Sequence, residues 1–161
     1  IQKSIENDNS EIDSNSNIDS CCCLCTPTLG HAFWESSKIV SVYDIDTRFD
    51  YLPGFYFFDL RWSLPKSGIQ HEIVVFDPPF FYIPMNQLYD AVLRVLNDRK
   101  SAKLLIGFLK REEPLLLQTF KDFNLKKTKF KLMYSSVSPN KWTNYALYSN
   151  VDLPGIKRIM N

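Results

Sequence analysis

Asp77-Pro78-Pro79-Phe80 follows the apolar run Ile73-Val74-Val75-Phe76, and together these residues hold the parts needed to alkylate an amine on an aromatic ring. Such an amine is a poor nucleophile because its lone pair is delocalised into the ring. The Asp77 carboxylate and the Pro78 carbonyl can each accept one of its hydrogens, which favours a more pyramidal nitrogen aimed at an electrophilic carbon. The paired prolines remove two amide donors and fix the backbone that carries this carbonyl. Phe80 offers a face on which an extruded base can stack. A rigid turn closing a buried strand would use the same prolines, so the tetrapeptide alone admits both readings.

Such residues need a scaffold, and the pattern of the chain predicts one. Short apolar runs alternate with segments of helical period, the signature of a parallel sheet with helices on its faces. Strands are expected over residues 21–25, 38–44, 55–59, 72–77 and 102–108, the fourth being apolar throughout, as a strand covered on both faces must be. Helices are expected over 29–36, over 86–98 where Leu88, Ala91, Val92, Val95 and Leu96 recur at helical spacing, and over 112–123 with Pro114 in the first turn. The last third changes character. Residues 127–135 and 141–150 read as an antiparallel strand pair joined by a hairpin-type connection at 137–140. The fold class is therefore α/β, a Rossmann-like sheet that is mostly parallel and ends in an antiparallel pair.

In an open parallel sheet, ligands bind at the carboxyl ends of the strands, near the point where strand order reverses. The strand ends here are Thr26-Pro27-Thr28, Asp44-Ile45-Asp46, Asp59-Leu60 and the Asp77 tetrapeptide. An acid after the second strand can accept both hydroxyl hydrogens of a nucleoside ribose, and one after the third can meet an adenine amino group. Any one of these acids could be a loop residue or a helix cap. Their joint occurrence in this order points to a nucleoside cofactor.

Length and composition limit the alternatives. A chain of 161 residues has room for one ordinary domain. Residues 1–19, rich in Asn, Ser, Asp and Glu, read as a disordered acidic head, and residues 20–161 as the folded domain. Net charge is +1, but Glu6, Asp8, Glu11, Asp13 and Asp19 sit in the head, so the remainder is basic and compatible with a polyanion. No apolar run is long enough for a membrane span and no signal peptide is evident, so the expected setting is intracellular, cytoplasmic or nuclear and nucleolar. Cys21, Cys22, Cys23 and Cys25 lack a second, distant ligand pair. Buried reduced thiols are expected there, and no metal site.

Cys25-Thr26-Pro27, Asp44-Ile45-Asp46-Thr47-Arg48-Phe49 and Asp77-Pro78-Pro79-Phe80 resemble the N6-adenine methyltransferase family, a branch of the class I methyltransferases. That group includes ribosomal-RNA adenine methyltransferases with CCHC zinc fingers and elongation-factor lysine methyltransferases. Asn144 to Tyr148 with Gly155 to Arg158 is similar to the tail of the RNA branch. The resemblance implies S-adenosyl-L-methionine as cofactor, held by Thr26, Pro27 and Thr28, by Asp44 or Asp46 on the ribose with Asp44 preferred, and by Asp59 and Leu60 near the adenine. It also implies catalysis by Asp77, Pro78, Pro79 and Phe80. The glycine-rich first loop common in class I methyltransferases is reduced here to Gly30.

The function expected is methyl transfer to N6 of adenine in structured RNA, with ribosomal RNA the preferred carrier. Zinc-binding modules of the RNA branch would lie upstream. The alternatives are protein lysine methylation of the elongation-factor type and a methyltransferase-like module that binds without turnover. Lys126, Lys127, Lys129 and Lys131, with Tyr134, Trp142, Tyr145 and Tyr148, could track a phosphate backbone and stack bases. Edge-strand lysines also guard against sheet-to-sheet aggregation. Lys110-Arg111 could meet phosphates or only flank a helix, and His31 reads as a partly exposed helix residue.

Overall fold

The computed structural model describes residues 21–62, 68–79 and 81–161. The expected disordered head and Phe80 lie outside the described residues. Seven strands form one sheet: β1 (Cys21–Leu24), β2 (Ser41–Asp44), β3 (Phe55–Phe57), β4 (Ile73–Phe76), β5 (Lys103–Leu109), β6 (Lys126–Lys127) and β7 (Tyr145–Ser149). Their order is β3-β2-β1-β4-β5-β7-β6. β1 to β5 pair in parallel, whereas β7 runs antiparallel to both β5 and β6. Three helices flank the sheet: α1 (Pro27–Glu35), α2 (Met85–Val95) and α3 (Glu113–Thr119). The chain winds outward from β1 to β3 and then returns to β4 on the other side of β1. The switch point thus lies between β1 and β4, where a crevice must open at the carboxyl ends.

β1 shows why small thiols suit this place. Cys22, Cys23 and Leu24 have no solvent exposure, and neighbours on a strand face opposite sides. Cys22 enters the larger core with Leu24, Val74 and Phe76, while Cys23 packs with Val40, Val42 and Leu52 beneath α1. α2 buries Leu88, Ala91, Val92 and Val95, the stripe anticipated from spacing. Each fully buried aliphatic side chain of this kind contributes roughly 1.5–3 kcal/mol. α2 stops where Asn97 and Asp98 turn left-handed, at φ 52° and 63°.

The last third departs from the expected hairpin. β6 has only two residues, although the Thr128 amide still donates to the Leu147 carbonyl of β7; on the other edge Thr128 bridges to Arg158 and the Lys129 amide donates to the Lys157 carbonyl. The C-terminal tail thereby pairs along the edge of β6 that faces away from β7, with the Ile159 amide donating to the Lys127 carbonyl. Residues 129–138 leave the sheet, and Pro139 opens a 3-10 segment, Pro139–Asn144, that leads into β7. The helix expected over 112–123 is likewise divided, α3 ending at Thr119 and a 3-10 turn, Lys121–Phe123, following.

Gly54 sets the spacing of the β2–β3 edge. A Cβ there would be driven into the Val40 carbonyl oxygen, a backbone atom that cannot swing aside, while Gly54's own carbonyl accepts the Val42 amide at 2.8 Å. Gly54→Ala is expected to cost roughly 2–3 kcal/mol by forcing the two strands apart. A urea midpoint equal to wild type would remove this account of the edge.

Candidate active site

The carboxyl ends of β1 to β4 enclose a pocket of about 380 Å³ lined by Cys25, Asp44, Ile45, Phe58, Asp59, Leu60, Arg61, Asp77, Pro79, Phe81, Tyr82 and Ile83. Three carboxylates anticipated at separate strand ends therefore meet in one cavity.

Asp44 ends β2 and is buried, with Oδ1 accepting the Asp46 amide at 2.7 Å. Burial raises its pKa above the usual carboxylate value. Asp46 is placed differently. It turns out to Arg48, whose backbone amide and guanidinium both donate to it, and it does not line the pocket. The Arg48 hydrogen bonds lower its pKa.

Asp59, beyond β3, is held by a fork from Arg61. The Arg61 amide and Nε each reach Oδ1 at 2.9 Å, and Nη2 reaches Oδ2 at 2.5 Å. The guanidinium hydrogen bonds hold the Asp59 carboxyl down at about 2. Leu60 is buried beside it, its carbonyl accepting from Gln87 Nε2 on α2. Asp59 is a permanent anion with a fixed orientation, and lone pairs remain on its oxygens for a further donor.

Thr26, Pro27 and Thr28 do not line this pocket. Thr26 Oγ1 donates to the Val75 carbonyl at 3.4 Å, tying the end of β1 to β4. Pro27 occupies the first turn of α1, and Thr28 is exposed. The residue that faces the cavity from this loop is Cys25. Its φ of 55° is left-handed, a conformation that ordinarily favours glycine, and its amide donates to the Tyr43 carbonyl. Burial raises its thiol pKa, and the negative charges of Asp44 and Asp77 add to the effect.

Asp77 is half-buried at the end of β4, its amide bonded to the Leu24 carbonyl. Burial pushes its carboxyl up to about 6, against a hydrogen bond from the Tyr134 hydroxyl that acts to lower it. Pro78 is buried and Pro79 lines the cavity. Beyond them Phe81 and Tyr82 close one side. Tyr82 is left-handed at φ 73° and 99% exposed, and Arg111 lies over the Phe81 ring at 5.9 Å. Ile45, Phe58, Arg61 and Phe81 to Ile83 carried no spacing signal in the sequence. Ile45, Phe58 and Arg61 stand within two residues of an acid, and Phe81 to Ile83 follow Asp77 by four to six, so nearness to the strand ends was the available clue.

A second, larger hollow of about 520 Å³ opens beyond the end of β5, lined among others by Lys110, Lys127, Lys129, Phe130, Lys131, Met133, Trp142 and Tyr145. Lys127 is partly engaged there by Glu113, which also accepts from the Tyr148 hydroxyl. Lys126 and the fully buried Tyr148 do not line it.

A family model described as "Probable N6-adenine methyltransferase" matches residues 2–153. The chain belongs to this family. It is thus an S-adenosylmethionine-dependent methyltransferase, and the sheet order above is the scaffold on which the family's cofactor is read. Among solved structures, it is similar to the PH0226 protein of Pyrococcus horikoshii OT3 at 14% identity, with 86% of this chain and 81% of that one covered and a TM-score of 0.47. The ribosomal protein L11 methylase of Lactobacillus delbrueckii subsp. bulgaricus aligns at 14% identity, over 87% and 70% of the two chains, with a TM-score of 0.42. SMU.1697c of Streptococcus mutans, solved in complex with SAH, aligns at 13% identity over 87% and 86%, with a TM-score of 0.39. No curated protein matches the chain.

The donor set of the pocket fits this cofactor. Asp44 is a buried acceptor suited to a cis-diol, Asp59 an acceptor suited to an amino group, and Ile45, Phe58 and Leu60 supply apolar surface between them. Three carboxylates around one cavity also suit a sulfonium cation. At the β1 end Cys25 takes a left-handed turn of the kind that ordinarily favours glycine and presents a side chain to the cavity.

Proposed function

We propose that this methyltransferase modifies N6 of adenine in RNA, with ribosomal RNA the preferred carrier, and that it belongs with the zinc-finger branch of its family, whose zinc modules would lie upstream. The observation that carries the reading is that Tyr134, whose hydroxyl donates to Asp77, packs on Tyr145 of the hollow lined by lysines and aromatic rings, which joins that hollow to the Asp77-Pro78-Pro79 corner. A polyanion with stackable bases is the complementary ligand for such a surface. Exposed Lys129 and Lys131 with Trp142 and Tyr145 are its proposed contacts, and Lys110 and Arg111 extend the positive surface around the end of β5.

In this proposal Asp44 holds the ribose, and Asp59 with Leu60 holds the adenine of the cofactor. S-adenosylmethionine supplies an electrophilic methyl carbon on a positively charged sulfur. Asp77 and the Pro78 carbonyl accept the two hydrogens of the acceptor amine and aim its lone pair at that carbon. The new nitrogen–carbon bond forms as the carbon–sulfur bond breaks toward sulfur. The excess proton passes from nitrogen to the Asp77 carboxylate, whose affinity near pH 6 is well above that needed to deprotonate an alkylated aryl amine. Orientation supplies much of the rate.

Tritiated methyl transfer to matched extracts of total RNA and total protein tests the reading. Label is expected in RNA, released as N6-methyladenosine on nuclease digestion. Label confined to protein lysine would replace adenine with the elongation-factor type of acceptor. Cofactor binding without transfer to either would make the chain a binding module.

A further inference from the structure

Gly107 is a glycine in the middle of β5, a place where the residue weakens a strand and calls for a local reason. The reason is visible above it. A Cβ at 107 would come within 2.9 Å of the Tyr134 hydroxyl oxygen and 3.1 Å of Asp77 Oδ1. The missing side chain is the space in which these two groups meet, at 3.0 Å. Tyr134 reaches this point from the segment that leaves the sheet after β6, and it is pinned there twice. Trp142 Nε1 donates to its backbone carbonyl at 3.1 Å, and its ring packs edge-on against Tyr145 of β7 with centroids 4.9 Å apart.

We propose that Tyr134 is a positioning residue for methyl transfer: its hydroxyl fixes Oδ1 of Asp77 and leaves Oδ2 for the acceptor amine. This rests on the proposed role of Asp77. A carboxylate at a strand end rotates freely about its terminal torsion unless one oxygen is tied. Holding one oxygen by a phenol donor fixes the plane of the other and favours the ionised form, the form that accepts hydrogens. The other ionisable groups around Asp77 work the opposite way or lie farther off. Cys25 faces it from the end of β1 with Asp44 behind, Tyr145 stands behind Tyr134, and the Asp59–Arg61 pair and Tyr82 line the remainder of the cavity.

Tyr134→Phe removes the donor and keeps the ring. In the full chain, a carbon-detected NMR titration of the Asp77 carboxyl is expected to show its midpoint raised by about half to one pH unit, since a hydrogen bond to the charged form has been lost. With RNA as acceptor, kcat is expected to fall about tenfold with the KM for S-adenosylmethionine within about twofold of wild type, and the acid limb of the rate profile to move up in step. Gly107→Ala, whose methyl group would push the hydroxyl away from Asp77, is expected to give the same displacement with the phenol still present. An unchanged Asp77 midpoint in Tyr134→Phe would overturn the proposal, as would a loss of rate with no displacement of the profile. If wild type transfers methyl to neither RNA nor protein, the reading of function fails. The NMR midpoint then still decides whether Tyr134 governs Asp77.

Discussion

Asp77→Asn is expected to lower methyl transfer by roughly two to three orders of magnitude and, at pH 8, to raise the melting temperature by about 5 °C. Both effects come from one fact, that this carboxylate is held where water cannot fully solvate it. Its folded pKa is about 6 against the ordinary 3.8. A raised pKa means that the fold prefers the protonated form. The stability it contributes is complete below about pH 4 and is lost as pH rises through 6. Above that, the ionised side chain costs up to about 3 kcal/mol at 1.36 kcal/mol per unit, and partial access to solvent reduces this to about 2 kcal/mol. Asparagine carries no such cost and can still accept the Tyr134 hydrogen bond, yet it offers a weaker acceptor and no site for the departing proton. Melting temperatures of the two proteins should meet near pH 4, separate progressively between pH 4 and 6, and stay a constant distance apart from there to pH 8. Wild-type kcat should fall about tenfold per unit below pH 6. A variant that transfers methyl within tenfold of wild type, or melts lower at pH 8, would show that Asp77 is a structural acid.

Much of this site was readable because parallel strands bury both faces. Apolar runs of that kind mark where each strand stops, and Asp44, Asp59 and Asp77 stand within a residue or two of those stops. Three other features were not readable, each for a physical reason. Four cysteines in five positions give no sign that Cys25 alone turns left-handed, because that conformation arises where the chain leaves β1 for α1 and not from any property of the residue type. The alternation Lys127-Thr128-Lys129-Phe130-Lys131-Leu132 satisfies a strand pattern, yet β6 stops at Lys127, and the C-terminal tail pairs along its outer edge at Thr128 and Lys129. Local period cannot register a partner some thirty residues downstream. Tyr134 then arrives at Asp77 because the strand ended, across a gap in β5 that only Gly107 provides. The short β6 and the glycine act together, and each is opaque without the other.

The choice between the two acids after β2 gives the second large effect. Asp44→Ala is expected to weaken S-adenosylmethionine binding by about 100-fold, whereas Asp46→Ala should change it by less than about threefold. A buried carboxylate that accepts two hydroxyl hydrogens contributes about 1.5–3 kcal/mol per bond, so losing both would reach that factor even after water partly replaces them. Asp44 has the required placement: it is buried, it lines the pocket, and the Asp46 amide ties Oδ1 at 2.7 Å, fixing the plane of the carboxylate. That amide belongs to the backbone and survives in Asp46→Ala. The Asp46 side chain spends its hydrogen bonds on Arg48 at the surface, and an exposed pair of this kind contributes little. Asp44→Asn should fall between the two alanine variants, because its amide oxygen can accept one hydroxyl hydrogen while its NH₂ cannot accept the other. Calorimetric titration of the three variants reads this order directly. Equal losses for Asp44→Ala and Asp46→Ala would mean that the ribose is held by the loop as a whole, and the assignment to Asp44 would fail.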